Sequence, residues 1–160
     1  LSREGNISMV DLNAVEIDES SGLLYVSLKN SSNPGTFTGR FEAPYIGFSG
    51  NLTAKLEVLV WARGATSGTL PTLPVTYLEV PRPSTTNTPA VLSTSFTSHG
   101  TGLALGAAGS VAANRYFRYD ITLATIAPGS MVYFTVTRSG VGGYSGDIGI
   151  LAVKWRVDPV

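Results

Sequence analysis

His99 is the sole histidine of the chain, and there is no cysteine. A hydrolytic triad needs a histidine held between a nucleophile and a carboxylate. Ser95, Ser98 and Asp120 are the available companions. No Gly-x-Ser-x-Gly elbow presents a serine, since Gly143-Tyr144-Ser145-Gly146 lacks that spacing. One histidine without cysteine leaves no usual zinc set. Glu16, Asp18 and Glu19 offer oxygens for calcium, but without the glycine and regular acidic spacing of calcium loops, so a solvated turn is expected. Gly100, Gly102, Gly106 and Gly109 match neither a dinucleotide fingerprint nor a phosphate loop, and no lysine follows. They fit close packing better. A carboxylate pair for glycoside cleavage is conceivable among eleven acids, but no pair is singled out. The expectation is a non-enzymatic chain with no catalytic residues, no cofactor and no metal, in which His99 is a solvated loop residue.

The remaining chemistry is that of aromatic faces. Tyr45, Trp61 and Tyr144 fall at strand ends or in loops, where a ring can stack on the apolar face of a pyranose. They are the candidate ligand or receptor contacts, although aromatics also serve as strand formers and core residues. Asp147 stands just before the last strand and Arg138 at the end of the preceding one. A structural staple across that loop is the expected role of this pair.

These residues must be positioned by strands. Side chains alternate between the two faces of a strand, so a period of two marks one buried face. Phe117, Tyr119, Ile121 and Leu123 point one way, and Tyr116, Arg118, Asp120 and Thr122 the other. Further strands are expected over residues 23–29, 52–62, 75–80, 91–97, 131–138 and 148–157, with a short one at 37–41. Leu56, Val58 and Val60 are expected inward, and Lys55 and Glu57 outward. In the last strand Gly149, Leu151, Val153, Trp155 and Val157 are expected to share a face. Glycine and proline turns punctuate the gaps, among them Pro128-Gly129. Residues 82–89 read as an extended loop and 100–113 as a short helix or a flat, tightly packed connection. The sum is an all-β, antiparallel β-sandwich, with jelly-roll topology expected. Residues 1–160 are expected to form one domain, with 1–20 as an N-terminal arm.

Charge bounds the partners. Eleven basic residues balance eleven acidic ones, so nothing favours counterion release from a nucleic acid. No run reaches the ~18 apolar residues of a membrane span, and no signal peptide is visible at Leu1. Starting at Leu1 rather than Met suggests trimming or a chosen boundary. Charged residues make up 14%, against about 25% in typical domains. A chain so poor in charge is expected to hide surface in a homo-oligomer.

Two segments resemble bacteriophage virion structural proteins. The first is Leu56-Glu57-Val58-Leu59-Val60-Trp61-Ala62-Arg63-Gly64-Ala65-Thr66-Ser67-Gly68 followed by Val75-Thr76-Tyr77. The second runs from Ala127-Pro128-Gly129-Ser130 through Met131-Val132-Tyr133-Phe134-Thr135-Val136-Thr137-Arg138 to Gly143-Tyr144-Ser145-Gly146-Asp147-Ile148-Gly149-Ile150-Leu151. It is similar to a closing hairpin of that family. The resemblance implies a jelly-roll domain, often trimeric, in a tail fibre, baseplate or head decoration. Its partners would be copies of itself, other capsid or tail proteins, and a host surface glycan. It would lie on the virion surface after synthesis in the bacterial cytoplasm. A carbohydrate-binding module or lectin-like receptor-binding domain on the same fold is the alternative.

Overall fold

Apolar residues at every second position of a long run create a face that must be covered, and this fold follows from burying two such faces together. The computed structural model describes residues 3–7, 15–17 (backbone only), 22–29, 31, 35–45, 49–64, 68–83, 89–105, 110–112, 114–138 and 144–160. In chain order the strands are β1 (Arg3–Asn6), β2 (Val15–Ile17), β3 (Leu24–Leu28), β4 (Thr36–Glu42), β5 (Leu52–Arg63), β6 (Gly68–Thr69) and β7 (Thr72–Leu73). Then come β8 (Val75–Val80), β9 (Thr97–Ser98), β10 (Leu103–Ala104), β11 (Ser110–Val111), β12 (Arg115–Ile126), β13 (Met131–Thr137) and β14 (Asp147–Pro159).

One sheet has the order β12-β5-β14-β3-β2, with β1 also paired to β14; the other has the order β4-β13-β8-β9. Strands β6 and β11, and β7 and β10, form two short ribbons. Every pairing is antiparallel. The pairs β3–β14, β4–β13, β5–β12 and β8–β9 are nested one inside the next. Of the expected N-terminal arm, β1 lies on β14 and β2 on β3. No helix of the described residues is long and apolar enough to cross a membrane.

The alternation in β5 is as expected. Leu52, Ala54, Leu56, Val58, Val60 and Ala62 are buried, and the residues between them are half-buried. In the facing sheet Val132, Phe134 and Val136 of β13 are buried, with Phe37 and Phe41 of β4 packed about Phe134. Phe41 stacks on Trp155 of β14, with ring centroids 5.4 Å apart and planes 2° from parallel. The inner faces of both sheets thus share one apolar cluster. The expected antiparallel β-sandwich is the observed architecture.

Three expectations are corrected. The single face expected for the last strand does not hold. Ile148 and Ile150 are buried, and the register against β5 then shifts between Ile150 and Ala152. The extra residue of this bulge, Leu151, reverses the parity, so Val153 and Val157 point inward from there on. Residues 91–96 form no strand; only Thr97 and Ser98 pair, with Tyr77 and Thr76. His99 is not merely solvated. Its Nε2 lies 2.8 Å from the Thr122 carbonyl oxygen, and the Gly102 N–H donates to its Nδ1 at 3.2 Å. A carbonyl only accepts, so Nε2 carries the hydrogen and the ring clamps residues 99–102 onto β12. Gly102 is required there. It has φ +58°, and a Cβ would stand 2.4 Å from the Leu73 carbonyl oxygen. With Leu103 and Leu105 buried beside it, the described part of 100–113 is a tight packed connection. Asp18, Glu19, Gly106 and Gly109 lie outside the described residues.

Candidate functional site

The three nominated aromatics go to three different places. Tyr144 is fully buried, which corrects its nomination: no ligand reaches a ring covered on all sides. It belongs to the staple at the start of β14. Buried Arg138 donates through Nη2 to the Tyr144 carbonyl at 2.6 Å, and through Nη1 to the Gly146 and Leu28 carbonyls at 2.7 and 3.4 Å. The staple therefore includes three backbone carbonyls. Burial holds the guanidinium pKa below its ordinary value, and the nearby Asp147 charge opposes that shift.

Burial also raises the phenol pKa values of Tyr144 and Tyr119 above the ordinary 10.0. The unfolded chain gives up these protons near pH 10 and the folded one resists. This contribution to stability is whole below pH 10 and drains as pH rises through 10 toward the folded values. Thermal melts should therefore fall in that alkaline window. A Tyr119→Phe/Tyr144→Phe variant should show a flatter decline, while unaltered pH dependence would contradict the assignment.

Trp61 is half-buried on the outer side of β5. Tyr25 meets it edge-on at 5.3 Å, and the Arg63 guanidinium lies 5.9 Å from its ring centre. Its register partner across the sheet is the exposed Tyr116.

Tyr45 is 56% exposed and sits in the groove that best fits a binding site. Register explains its neighbours. Met131 of β13 pairs with Glu42 of β4 on one side and with Val80 of β8 on the other. Tyr45, three residues past Glu42, and Arg82, two past Val80, therefore emerge at the same end of the sheet. The Arg82 guanidinium carbon lies 4.2 Å from the centre of the Tyr45 ring, a cation–π contact. Behind this pair lies the Pro128-Gly129 turn, with Gly129 against both Tyr45 and Arg82. Glu79 pins that turn by accepting from the Ala127 N–H at 2.9 Å and the Ser130 hydroxyl at 2.6 Å. Glu79→Ala strands both donors and should cost about 1.5–3 kcal/mol in urea unfolding. A loss within error of zero would show that the turn holds itself.

The opposite wall comes from the other sheet. Arg3 and Glu4 of β1 and Trp155 of β14 complete an open groove of about 760 Å³ with Pro44, Tyr45 and Arg82. Trp155 is one of the residues expected to share a face in the last strand. It reaches the rim because Gly5 lies opposite it in β1, where a Cβ would come within 2.6 Å of the indole nitrogen. The sequence signal for this residue was a glycine facing a tryptophan, visible only once the register is known.

The outer face of the first sheet carries a second, smaller cavity of about 260 Å³ among Glu4, Lys55, Glu57, Asp120, Lys154 and Arg156. Glu57 and Asp120 are register partners, so the structure does bring two carboxylates side by side. Arg118 approaches both at 3.9 Å, and Asp158 binds Lys55 and Arg156 at 2.7 and 2.8 Å. This is a salt-bridged sheet face. No cluster of three metal-ligating side chains exists among the described residues.

No family model and no curated protein matches the chain. Solved structures do, at low similarity. The enzymatically active domain of tailspike protein 4 from bacteriophage CBA120 is 11% identical, over 98% of this chain and 19% of that one, with a TM-score of 0.39. The exo-β-1,3-galactanase of Phanerochaete chrysosporium, solved with galactose, is 11% identical over 98% and 27%, with a TM-score of 0.33. The carbohydrate-binding module TmCBM61, solved with β-1,4-galactotriose, is 10% identical over 97% and 86%, with a TM-score of 0.34. The chain spans about a fifth and a quarter of the first two. All three are similar to this chain in shape alone. Two of them are enzymes, so the expectation of a non-enzymatic chain is withdrawn. At these TM-scores the likenesses carry no argument for an activity of this chain.

Proposed function

We propose that this chain is a carbohydrate-binding β-domain of a bacteriophage particle, held on a tail or head fibre where it contacts host surface glycan. The observation that carries the binding is the exposed Tyr45 ring capped by Arg82 in a groove whose other wall is Trp155. A pyranose has an apolar C–H face and a polar rim. The aromatic rings take the first by stacking, while the fork of Arg82 and the carboxylate of Glu4 take hydroxyls on the second. The groove volume lies within the ~300–1,000 Å³ of small-ligand sites. Its open form suits a chain of sugars entering from the side.

The phage placement is supported by the two virion-like segments around Trp61 and Gly143-Tyr144-Ser145-Gly146-Asp147. The nesting of β3–β14, β4–β13, β5–β12 and β8–β9 supports the winding expected of such domains, since an eight-strand hairpin rolled on itself is a jelly roll. One domain over residues 1–160 belongs to the same reading. A glycan array probed with the purified chain tests the proposal. Binding to at least one surface glycan, weakened about tenfold or more by Tyr45→Ala and kept by Tyr116→Ala, is the expected result. Binding abolished by Tyr116→Ala alone would move the site to the outer sheet face.

A further inference from the structure

The sequence of residues 91–97 has the β-branched and aromatic content of a strand, yet the described structure leaves 91–96 without strand pairing. Val91 is 100% exposed, Leu92 63% and Phe96 43%. The chain pairs with β8 only at Ser98–Thr76 and Thr97–Tyr77 and then departs. That departure leaves Leu78, Glu79 and Val80 of β8 with β13 on one side and no strand on the other among the described residues. A strand-like apolar segment and an open sheet edge thus occur in one molecule, neither paired with a strand among the described residues. Edges of this kind template pairing with another chain.

We infer that residues 91–96 form a strand on the open β8 edge of a second copy of this chain. Charge argues for this occupant. No Asp, Glu, Lys or Arg occurs from residue 83 to 114, so the segment has nothing with which to select a charged partner, and identical copies meet there without repulsion. The segment supplies backbone N–H and C=O groups for Leu78–Val80, while Leu92 and Phe96 take apolar cover from the neighbour. Main-chain pairing of an extended segment onto a sheet edge is an established mode of association. Residues 91–96 lie outside the lining of the Tyr45 groove, so variants of this segment read assembly apart from glycan binding.

Light scattering and hydrogen exchange on the whole chain test it. The wild type should be an oligomer, and its amides at 91–96 and 78–80 should exchange slowly when concentrated and faster on dilution. Leu92→Asp with Phe96→Asp should give a monomer with an unchanged thermal transition and unchanged retention on any glycan bound by the wild type. A monomeric wild type at high concentration overturns the inference, as does a double variant that stays oligomeric. Slow exchange independent of concentration does so too, because the segment would then pair with its own β8, placing Phe96 opposite Leu78.

Discussion

Arg138→Met is expected to lower the unfolding free energy by about 3–5 kcal/mol, because hydrogen bonds from a charged donor contribute about 1.5–3 kcal/mol each and two short ones are lost. Replacing a buried charge by an apolar side chain is often harmless when its partner charge is removed as well. Here the partners include the carbonyls of Tyr144, Gly146 and Leu28, and they remain behind without their donor. The three carbonyls lie on two sequence-distant segments, the end of β3 and the loop leading into β14, so the guanidinium is a cross-tie between them. The midpoint of thermal melting should fall by about 6–20 °C, taking about 2–4 °C per kcal/mol for a chain of this size. Lysine should not rescue, since one ammonium cannot reproduce the planar fork. Urea unfolding with an unchanged slope is the check. A loss below about 1 kcal/mol would mean that the loop before β14 is held by other contacts.

The second large effect falls on binding. Arg82→Ala should weaken the glycan that the wild type binds by about 10- to 100-fold, the equivalent of about 1.5–3 kcal/mol for a charge-assisted hydrogen bond. Tyr45→Ala should cost about tenfold or more, from lost stacking and lost apolar cover. The two changes should add to less than their sum, because Arg82 rests on the Tyr45 ring and neither is placed without the other. Arg82→Lys should recover little. Neither single variant should shift the thermal midpoint much, since both side chains stand at the rim. Isothermal titration reads the affinities, and additive losses would show that the two residues act apart.

The sheets were legible in the sequence because burial on one side imposes a period of two, which β5 follows residue by residue and β12 follows from Phe117 to Leu123. The last strand shows where that rule ends. A single bulged residue, Leu151, reverses the faces, and nothing local in Gly149-Ile150-Leu151-Ala152 announces it. Residues 91–97 carry strand chemistry, yet among the described residues only Thr97 of them pairs with a strand, which no periodicity reports. The groove was half legible. Tyr45 stood out as an aromatic after a strand, whereas Arg82 and Trp155 join it only through the register of β4 and β8 on β13 and of β1 on β14. Tyr144 misled for a related reason. A tyrosine in a glycine-rich loop reads as exposed until Arg138 is seen to draw that loop down by its carbonyls. The outer-face carboxylates Glu57 and Asp120 likewise became neighbours only through pairing.

The groove contains one of the two tryptophans, which makes the central claim directly measurable. A glycan found on the array is titrated into the protein while indole fluorescence is followed. The account predicts a saturable change that persists in Trp61→Phe and disappears in Trp155→Phe. A change that disappears instead in Trp61→Phe, or an array without any bound glycan, would contradict it.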